Sequence, residues 1–344
     1  MLHKALLIFV LTFSPLLAGA SEFADRNLIT AEMQVAFRLE DFTRTEKRYA
    51  EINKNNERLS SGILKSDEML YAISKVLSLP REWPDREENA LAKKEREARQ
   101  EAFLVSMEEK TARWQKAYPA SSLAAFARSD AYIKHAFFHR GTRLANEVDP
   151  AKWKAFDSYI EKAYAALATP QITKDAAWYG GLLKVAQFRR ADLKQFAELV
   201  NEASTRYPYS YSIYFFASYR LQPRWGGSVE AFEWLADLAV SKTKPIDGTA
   251  LYARVYWNIS SLGFDDDLFT STRASWPKMK KGFDDMIKVY PSEWNLNNYA
   301  RFACMAKDGA TLKRILVQIG NEMNPQVWDK PEVLTRCRRL ANDA

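Results

Sequence analysis

His135 and His139 are the residues of this sequence whose type and spacing come nearest to a metal-binding pair. They lie four residues apart, so a helix would place both imidazoles on one face, where two metal ligands are often found. The intervening Ala136-Phe137-Phe138 lacks the glutamate of a metalloprotease signature, and no neighbouring cysteine or carboxylate in the sequence supplies a third ligand. We therefore predict that both histidines are structural and that the chain has no metal site.

Other patterns that would indicate a reaction are incomplete or missing from the sequence. Asp265-Asp266-Asp267 begins like a calcium-binding loop, but no regularly spaced oxygen ligands and no terminal glutamate follow, so we interpret it as a loop before a helix. There is no Gly-x-Ser-x-Gly nucleophile elbow, no phosphate-binding loop and no dinucleotide fingerprint. We predict no catalytic residues and no cofactor. Carboxylates are abundant, and the sequence does not reveal whether two of them converge on a sugar or peptide bond.

Cys304 and Cys337 are the only cysteines of the chain. Two alternatives stay open at this point: a disulfide, which an oxidising compartment would permit, or two buried free thiols. A bridge would stabilise the fold by about 3–4 kcal/mol through the entropy of the denatured chain.

Residues 1–20 have the organisation of a secretory signal peptide. Lys4 gives a positive start, a mainly apolar stretch runs from Ala5 to Leu17, and Ala18-Gly19-Ala20 offers small residues to a peptidase, with Ser21 as the predicted mature start. The apolar stretch is shorter than the ~20 residues that a membrane span needs, and Ser21 is not a cysteine that could be acylated. We predict an exported protein, periplasmic or secreted, with no stable membrane insertion after signal cleavage.

The charge pattern argues against a nucleic-acid partner. The chain has 50 Lys+Arg and 43 Asp+Glu, a net charge of +7, and removal of Lys4 with the signal leaves +6. Basic clusters such as Lys278/Lys280/Lys281 are short, and acidic residues lie among or near the other basic residues. A nucleic-acid interface would need a more continuous basic surface.

The elements that must position any site are predicted to be helices. Only 12 Gly and 13 Pro occur in 344 residues, which disfavours a turn-dense β-sandwich or barrel. Asp149 before Pro150 is a typical N-cap and first helical position, and Ser228 caps a later helix. The predicted buried stripes are Trp153, Phe156, Ile160, Tyr164 and Leu167, then Leu193, Phe196, Val200 and Ala203, then Phe232, Leu235, Ala236 and Ala239.

A recurring dipeptide indicates a repeated helical architecture. Tyr118-Pro119, Tyr207-Pro208 and Tyr290-Pro291 each end an apolar-periodic segment and precede a new aromatic-rich helix. The intervals between them are near two and a half tetratricopeptide periods of ~34 residues, but most consensus positions of that repeat are not matched. We therefore predict a degenerate solenoid of helical hairpins.

Three motifs, taken in order, resemble a known bacterial family. They are Tyr118-Pro119-Ala120-Ser121-Ser122 with Arg140-Gly141; Leu221-Gln222-Pro223-Arg224-Trp225-Gly226-Gly227-Ser228; and Trp276-Pro277-Lys278-Met279 followed by Gly282-Phe283, Tyr290-Pro291 and Trp294-Asn295. Over roughly residues 112–339 the chain resembles the family catalogued as domain of unknown function 4034, with Gln222 where that family leads us to expect an apolar residue. The resemblance implies an all-α, tetratricopeptide-like right-handed array of antiparallel helical hairpins, an α-α superhelix, and it carries over no activity.

The second motif reads as a helix stop, a sharp loop and a restart. Pro223 ends a helix, Gly226-Gly227 permit positive φ angles, and Ser228 caps the next helix. Trp225 is interpreted either as a buried plug of this turn or, together with Arg224, as an exposed recognition edge. The candidate interaction or turn residues are Arg224, Trp225, Gly226, Gly227, Trp294 and Asn295.

We divide the chain into the signal peptide at 1–20, an N-terminal helical region with a charged helix or linker at 21–110, and the helical-repeat domain at 111–344. In the charged stretch, a weak packing seam is predicted at Leu91, Ala98, Val105 and Ala112, which recur every seven residues. Our leading hypothesis is an exported, non-enzymatic scaffold that binds a protein or peptide partner in the envelope. The alternatives are an envelope hydrolase that uses unrecognised carboxylates and a small-ligand binding protein with an aromatic cleft.

Overall fold

The computed structural model describes residues 21–80, 89–141, 143, 145–260, 267–328 and 330–344, so the predicted signal peptide lies outside the described residues. Within these ranges the predicted all-α fold is confirmed: no β-strand occurs, and one isolated bridge joins Arg58 and Leu64. None of the helices in these ranges combines the length and apolar character that a membrane crossing requires.

The helices are α1 (Glu22–Leu39), α2 (Phe42–Asn55), α3 (Lys65–Val76), α4 (Ala90–Ala117), α5 (Ser122–Arg140), α6 (Pro150–Leu167), α7 (Ala176–Phe188), α8 (Leu193–Arg206), α9 (Tyr211–Arg220), α10 (Val229–Asp247), α11 (Ala250–Ile259), α12 (Leu268–Ser271), α13 (Trp276–Val289), α14 (Glu293–Met305), α15 (Gly309–Ile319) and α16 (Pro331–Asn342).

The three Tyr-Pro dipeptides are structurally equivalent helix ends. Tyr118, Tyr207 and Tyr290 terminate α4, α8 and α13 with φ of −129°, −133° and −131° and ψ of 70°, 62° and 73°. The proline that follows each tyrosine clashes with an α conformation at the tyrosine and therefore ends the helix there. The next helix, α5, α9 or α14, begins within a few residues, which confirms the predicted rhythm.

Local capping sets most of the predicted helix limits. Asp149 accepts a hydrogen bond from the backbone N–H of Ala151 at the start of α6, and Ser228 accepts one from Ala231 at the start of α10. Phe156, Ile160 and Leu167 of α6 are buried, and so are Phe196, Val200 and Ala203 of α8 and all four predicted residues of α10. Trp153 and Leu193, also predicted to be buried, are half-buried, and Tyr164 is exposed.

Tyr164 is 37% exposed, and Ala163 takes the buried position next to it. The guanidinium of Arg189 lies 4.0 Å from the centroid of the Tyr164 ring. The phenol ring is therefore covered by a surface cation and not by the core, an arrangement that a hydrophobic periodicity does not distinguish from burial.

The predicted seven-residue seam of α4 is wrong. Leu91 is 66% exposed and Val105 is 42% exposed, whereas α4 buries Leu104, Met107 and Trp114. Alanine-rich seven-residue spacing is also compatible with a solvated helix, because alanine favours helix without requiring burial. Helix α4 runs through residue 110, where the sequence placed the end of the N-terminal region.

Alternate helices stack in series to build the repeat. Helix α5 contacts α7, α7 contacts α9, and α9 contacts α11. Helices α8, α10 and α13 form a second row of contacts, and the pairs α8 and α9, α10 and α11, and α11 and α13 join the rows. Each helix thus buries its apolar face mainly against near neighbours in the chain, as expected of a helical-repeat protein.

The N-terminal helices belong to the same hydrophobic core as this stack. Helix α3 packs on α5, and Leu70 and Tyr71 of α3 lie beside Gly180 of α7 and Phe216 of α9. One continuous cluster of buried residues extends from Ile29 in α1 to α16. Region 21–77 therefore packs against the repeats and is not a separate appendage.

Candidate functional site

A cleft of about 310 Å³ forms where the N-terminal helices meet the later repeats. Helices α1 and α3 contribute one residue each, the segment between α2 and α3 contributes another, and α9, α11 and α14 contribute the rest. The lining residues are Arg26, Ile63, Tyr71, Phe215, Arg254, Trp257, Asn258 and Trp294. Since no single segment lines the cleft, it exists only when region 21–77 is packed against the repeats.

Trp257 and Trp294 form the aromatic part of the cleft. Their ring centroids lie 6.1 Å apart with the planes inclined by 30°, and both side chains are half-buried. Trp257 rests on Phe283 and Phe302 at centroid distances of 6.3 and 6.4 Å. The Tyr290-Pro291 junction places Trp294 at the start of α14. The two indoles thus keep partly accessible faces, on which an aromatic or apolar group can pack.

Arg254 supplies a buried cation to the cleft. Its guanidinium donates a hydrogen bond to the backbone oxygen of Ser61 and lies 5.3 Å from the centroid of the Tyr211 ring. Burial lowers the pKa of Arg254, an effect that the nearby Tyr211 and Asp247 oppose. Among the described residues, Nε of Arg254 has no hydrogen-bond partner. That nitrogen is itself buried, so Arg254 contributes its positive charge to the cleft.

Arg26 supplies the second cation, and its charge is balanced. Its guanidinium lies 5.8 Å from the centroid of the Trp294 ring and pairs with Glu22 at 2.7 Å and with Glu68. Burial raises the pKa of Glu68 to about 7, against the attraction of Arg26. Neither carboxylate lines the cleft, and no other carboxylate of the described residues does. The part of the cleft that the structure describes thus holds no pair of carboxylates of the kind that glycosidases use.

Ser61 ties the N-terminal region to the repeats behind the cleft. The buried carboxylate of Glu22 accepts hydrogen bonds from the Ser60 hydroxyl at 2.9 Å and from the amide and the hydroxyl of Ser61, both at 2.8 Å. The backbone oxygen of Ser61 in turn accepts hydrogen bonds from the guanidinium of Arg254 and, at 3.2 Å, from the side-chain amide of Asn295. Of the two adjacent predicted interaction residues, Trp294 lines the cleft and the fully buried Asn295 anchors the loop beneath it.

The Pro-Arg-Trp-Gly-Gly motif forms a turn that does not line the cleft. Pro223–Trp225 is a 3-10 turn, Gly226 has a φ of 82°, and the Gly227 amide donates to the oxygen of Gln222 at 3.0 Å. Trp225 is half-buried and packs edge-on against Phe188 at 6.3 Å. The side chain of Arg224 lies outside what the structure describes. Trp225, Gly226 and Gly227 are therefore turn residues in this fold.

The two predicted structural histidines stack on one face of α5. Their ring centroids are 4.9 Å apart with the planes inclined by 11°. His135 is buried and its Nδ1 is hydrogen-bonded to the carboxylate of Glu108. Burial lowers the pKa of His139, and the neighbouring His135 lowers it further. The fold also brings Glu101 to the pair from α4, a carboxylate that the local sequence around the histidines does not contain.

The two cysteines are joined in the structure. A disulfide links Cys304 of α14 to Cys337 of α16, with Cα atoms 5.5 Å apart, so the first of the two alternatives applies. Of the predicted loop aspartates, Asp265 and Asp266 lie outside the described residues, and Asp267 precedes the short helix α12.

Comparison with known proteins adds no relative to this description. No family model, no curated protein and no solved structure matches the chain. A functional assignment therefore depends on the geometry of the cleft.

Proposed function

We propose that this protein is an exported, non-enzymatic helical-repeat scaffold that binds a protein or peptide partner, and that the cleft receives an aromatic or apolar side chain of that partner. The observation that carries the proposal is the pair Trp257 and Trp294, two half-buried indoles that line one cleft with the buried cation Arg254. Aromatic anchors next to a buried arginine are the residue types that dominate binding energy at protein interfaces.

The size and chemistry of the cleft define what it can accept. A volume of about 310 Å³ is at the lower end of the range for ligand pockets, which suits a single large side chain. The apolar lining favours an aromatic group, and the positive charge of Arg254 favours a ligand that carries a carbonyl or carboxylate oxygen next to that group. A peptide segment with an aromatic residue presents both features, because each residue has a backbone oxygen.

Peptide selection with matched variants tests the proposal. A displayed library of random peptides is panned on the wild-type chain, and enriched peptides are then measured against Trp294→Ala and Trp257→Ala. We expect peptides rich in aromatic residues, bound at least about tenfold more weakly by both variants, which corresponds to about 1.4 kcal/mol. Trp234→Ala is the control, because Trp234 is 37% exposed and does not line the cleft. Enriched peptides that bind the cleft variants as tightly as wild type would contradict the proposal.

The same cleft is also the basis of a second candidate, a small-ligand binding protein. An aromatic carboxylate such as phenylacetate would pack its ring on the accessible faces of Trp257 and Trp294 and place its carboxylate near Arg254. Quenching of tryptophan fluorescence by phenylacetate, abolished in Trp294→Ala and retained in Trp234→Ala, would favour this candidate when peptide selection yields no binder.

The proposed location and family rest on sequence features. The signal-like start at residues 1–20 supports export, and we expect the mature protein outside the cytoplasm to begin at Ser21, which N-terminal sequencing checks. Membership of the domain of unknown function 4034 family is supported by the ordered motifs, which in the structure form helix junctions and a turn.

A further inference from the structure

A second group of polar side chains, distant in sequence from the cleft residues, lies between α4 and α5. His135 and His139 of α5 and Glu101 of α4 each offer a ligand atom, and these atoms lie within 4.8 Å of one another. Two imidazole nitrogens and one carboxylate oxygen are the protein ligands of many zinc sites that keep a fourth position for water. The helical spacing of the histidines and the packing of α4 on α5 together create this arrangement.

His135 is oriented as a metal ligand normally is. Its Nδ1 is held by the carboxylate of Glu108, which leaves Nε2 as the nitrogen available to a metal ion. Ligating histidines almost always have their second nitrogen fixed in this way by a carboxylate, a backbone oxygen or a water molecule. The Tyr159 hydroxyl makes a long hydrogen bond of 3.5 Å to Nε2, and a bound ion would replace it at that nitrogen.

The other two ligands have room to adjust. Glu101 is exposed and His139 is half-buried, whereas His135 is only 1% exposed. Tetrahedral zinc places its ligand atoms about 3.3 Å apart, so binding requires Glu101 to move inward and the His139 ring to turn out of its stack on His135. His139 also borders an open recess of about 650 Å³, which provides a path for an ion to enter.

Carboxylates and basic side chains both lie around the histidines. Glu101 and Glu108 bring two carboxylates to the two imidazoles. Lys162 lies over the Tyr159 ring at 4.1 Å from its centroid, and three further basic side chains line the recess that His139 borders. The ligand set is the kind that borderline transition metals prefer over magnesium or calcium, since it contains two nitrogens.

We propose that Glu101, His135 and His139 bind one zinc ion, with Glu108 as the residue that positions His135. The ion would bridge α4 and α5 and carry water at its remaining position. This site is independent of the aromatic cleft, because the two share no residue.

Zinc titration of the full chain, purified without a polyhistidine tag and stripped with a chelator, tests the proposal. Isothermal titration calorimetry with zinc chloride should give one saturable site, and zinc should raise the melting temperature. We expect His139→Ala and Glu101→Gln to weaken binding by more than about tenfold and Glu108→Gln to weaken it by about 10- to 100-fold. Glu109→Gln is the control, because Glu109 is an exposed neighbour of Glu108 that pairs with Arg113.

Cobalt binding provides a spectroscopic measurement that is independent of calorimetry and of thermal melting. Bound Co²⁺ should give visible absorption bands that disappear in His139→Ala and persist in Glu109→Gln. Failure of the wild-type chain to bind one equivalent of zinc would overturn the proposal. Zinc affinity that is equal in wild type, His139→Ala and Glu101→Gln would overturn it as well, since the ion would then lie elsewhere. Both substituted positions are at least partly exposed, so these variants should remain folded, which circular dichroism checks.

Discussion

The carboxylate of Asp67, in α3, caps α9 through a residue 145 positions later: the backbone N–H of Ser212 donates to Oδ2 at 3.1 Å, and the Ser212 hydroxyl donates to Oδ1 at 2.8 Å. Ser210 holds the N-cap position of α9, but its side chain accepts no hydrogen bond from that helix. Its hydroxyl instead donates to Asp67 at 2.5 Å. The N-terminal region therefore supplies the cap that α9 lacks, and the cleft residue Phe215 lies on the helix that is fixed in this way.

Removal of this cap should destabilise the whole protein. Asp67→Ala leaves the buried amide of Ser212 and two buried hydroxyls without their acceptor, and an unsatisfied buried donor costs about 1–3 kcal/mol. We expect urea denaturation to show a free energy of unfolding lower by that amount. Asp157→Ala is the control, since Asp157 is 55% exposed in a surface ion pair with Arg190 and should change the stability by less than about 0.5 kcal/mol. Equal effects of the two substitutions would contradict the capping role.

The buried carboxyl of Glu68, paired with the half-buried Arg26, should make stability depend on pH. Burial raises the pKa of Glu68 to about 7, so the folded state holds this proton more tightly than the unfolded state, where the ordinary value of 4.5 applies. The stability from this proton is fully present below about pH 4.5 and is lost as the pH rises through about 7.

Glu68→Gln cannot ionise and should therefore flatten the pH profile. Between pH 5 and pH 8 we expect the free energy of unfolding to fall by roughly 1–3 kcal/mol more in wild type than in Glu68→Gln, measured by urea denaturation at each pH. Asp175, whose pKa burial also raises, leaves a residual slope in both proteins. Glu161→Gln, at a 58% exposed surface ion pair, should keep the wild-type slope. If the free energy of unfolding of Glu68→Gln falls with pH as steeply as that of wild type, ionisation of Glu68 is not the cause of the pH dependence.

The helices were predictable from the sequence because their signals are local. A cap such as Asp149, a proline after Tyr207 and an apolar period act within one or two turns, so no knowledge of the partner helix is needed. The position of Trp225 at a turn followed in the same way from the glycines after it. Burial of single aromatic residues was less predictable, as Tyr164 shows, because a cation on the surface can cover a ring as a core does.

The candidate sites were not predictable, because they join residues that only the packing brings together. Trp294 was a candidate interaction residue because of its motif, but Trp257 was not, and the two come from helices separated by α12 and α13. Glu101 approaches His135 only because α4 packs on α5. The sequence showed the helix face of the histidines, which is a local property, and missed the third ligand, which is not.

The disulfide should contribute measurably to stability. It joins α14 and α16 across a sequence separation of 33 residues, and closing a loop of that length in the denatured chain stabilises the fold by about 3–4 kcal/mol. We expect a reductant to lower the urea midpoint of wild type and to leave the Cys304→Ala/Cys337→Ala double variant unchanged. Alkylation without reductant, followed by mass measurement, should label no thiol. Two labelled thiols would show that the bridge does not form.

The adjacent glycines of the Pro-Arg-Trp-Gly-Gly turn should respond differently to alanine, because they are needed for different reasons. Gly226 has a φ of 82° in the left-handed region, and an added Cβ would meet its nearest atom at 3.4 Å, so Gly226→Ala costs only conformational strain of about 1–2 kcal/mol. Gly227 is not left-handed, but a Cβ there would lie 1.9 Å from the backbone oxygen of Leu221. A backbone atom cannot rotate away as a side chain can.

Gly227→Ala must therefore open the turn and lose the hydrogen bond from its amide to Gln222. We expect it to lower the free energy of unfolding by more than about 3 kcal/mol, which is more than most single substitutions cost. The loss should therefore exceed that of Gly226→Ala. Thermal or urea unfolding of the two variants under the same conditions makes the comparison. A smaller loss in Gly227→Ala than in Gly226→Ala would mean that the close approach of this turn to the end of α9 is not maintained in solution.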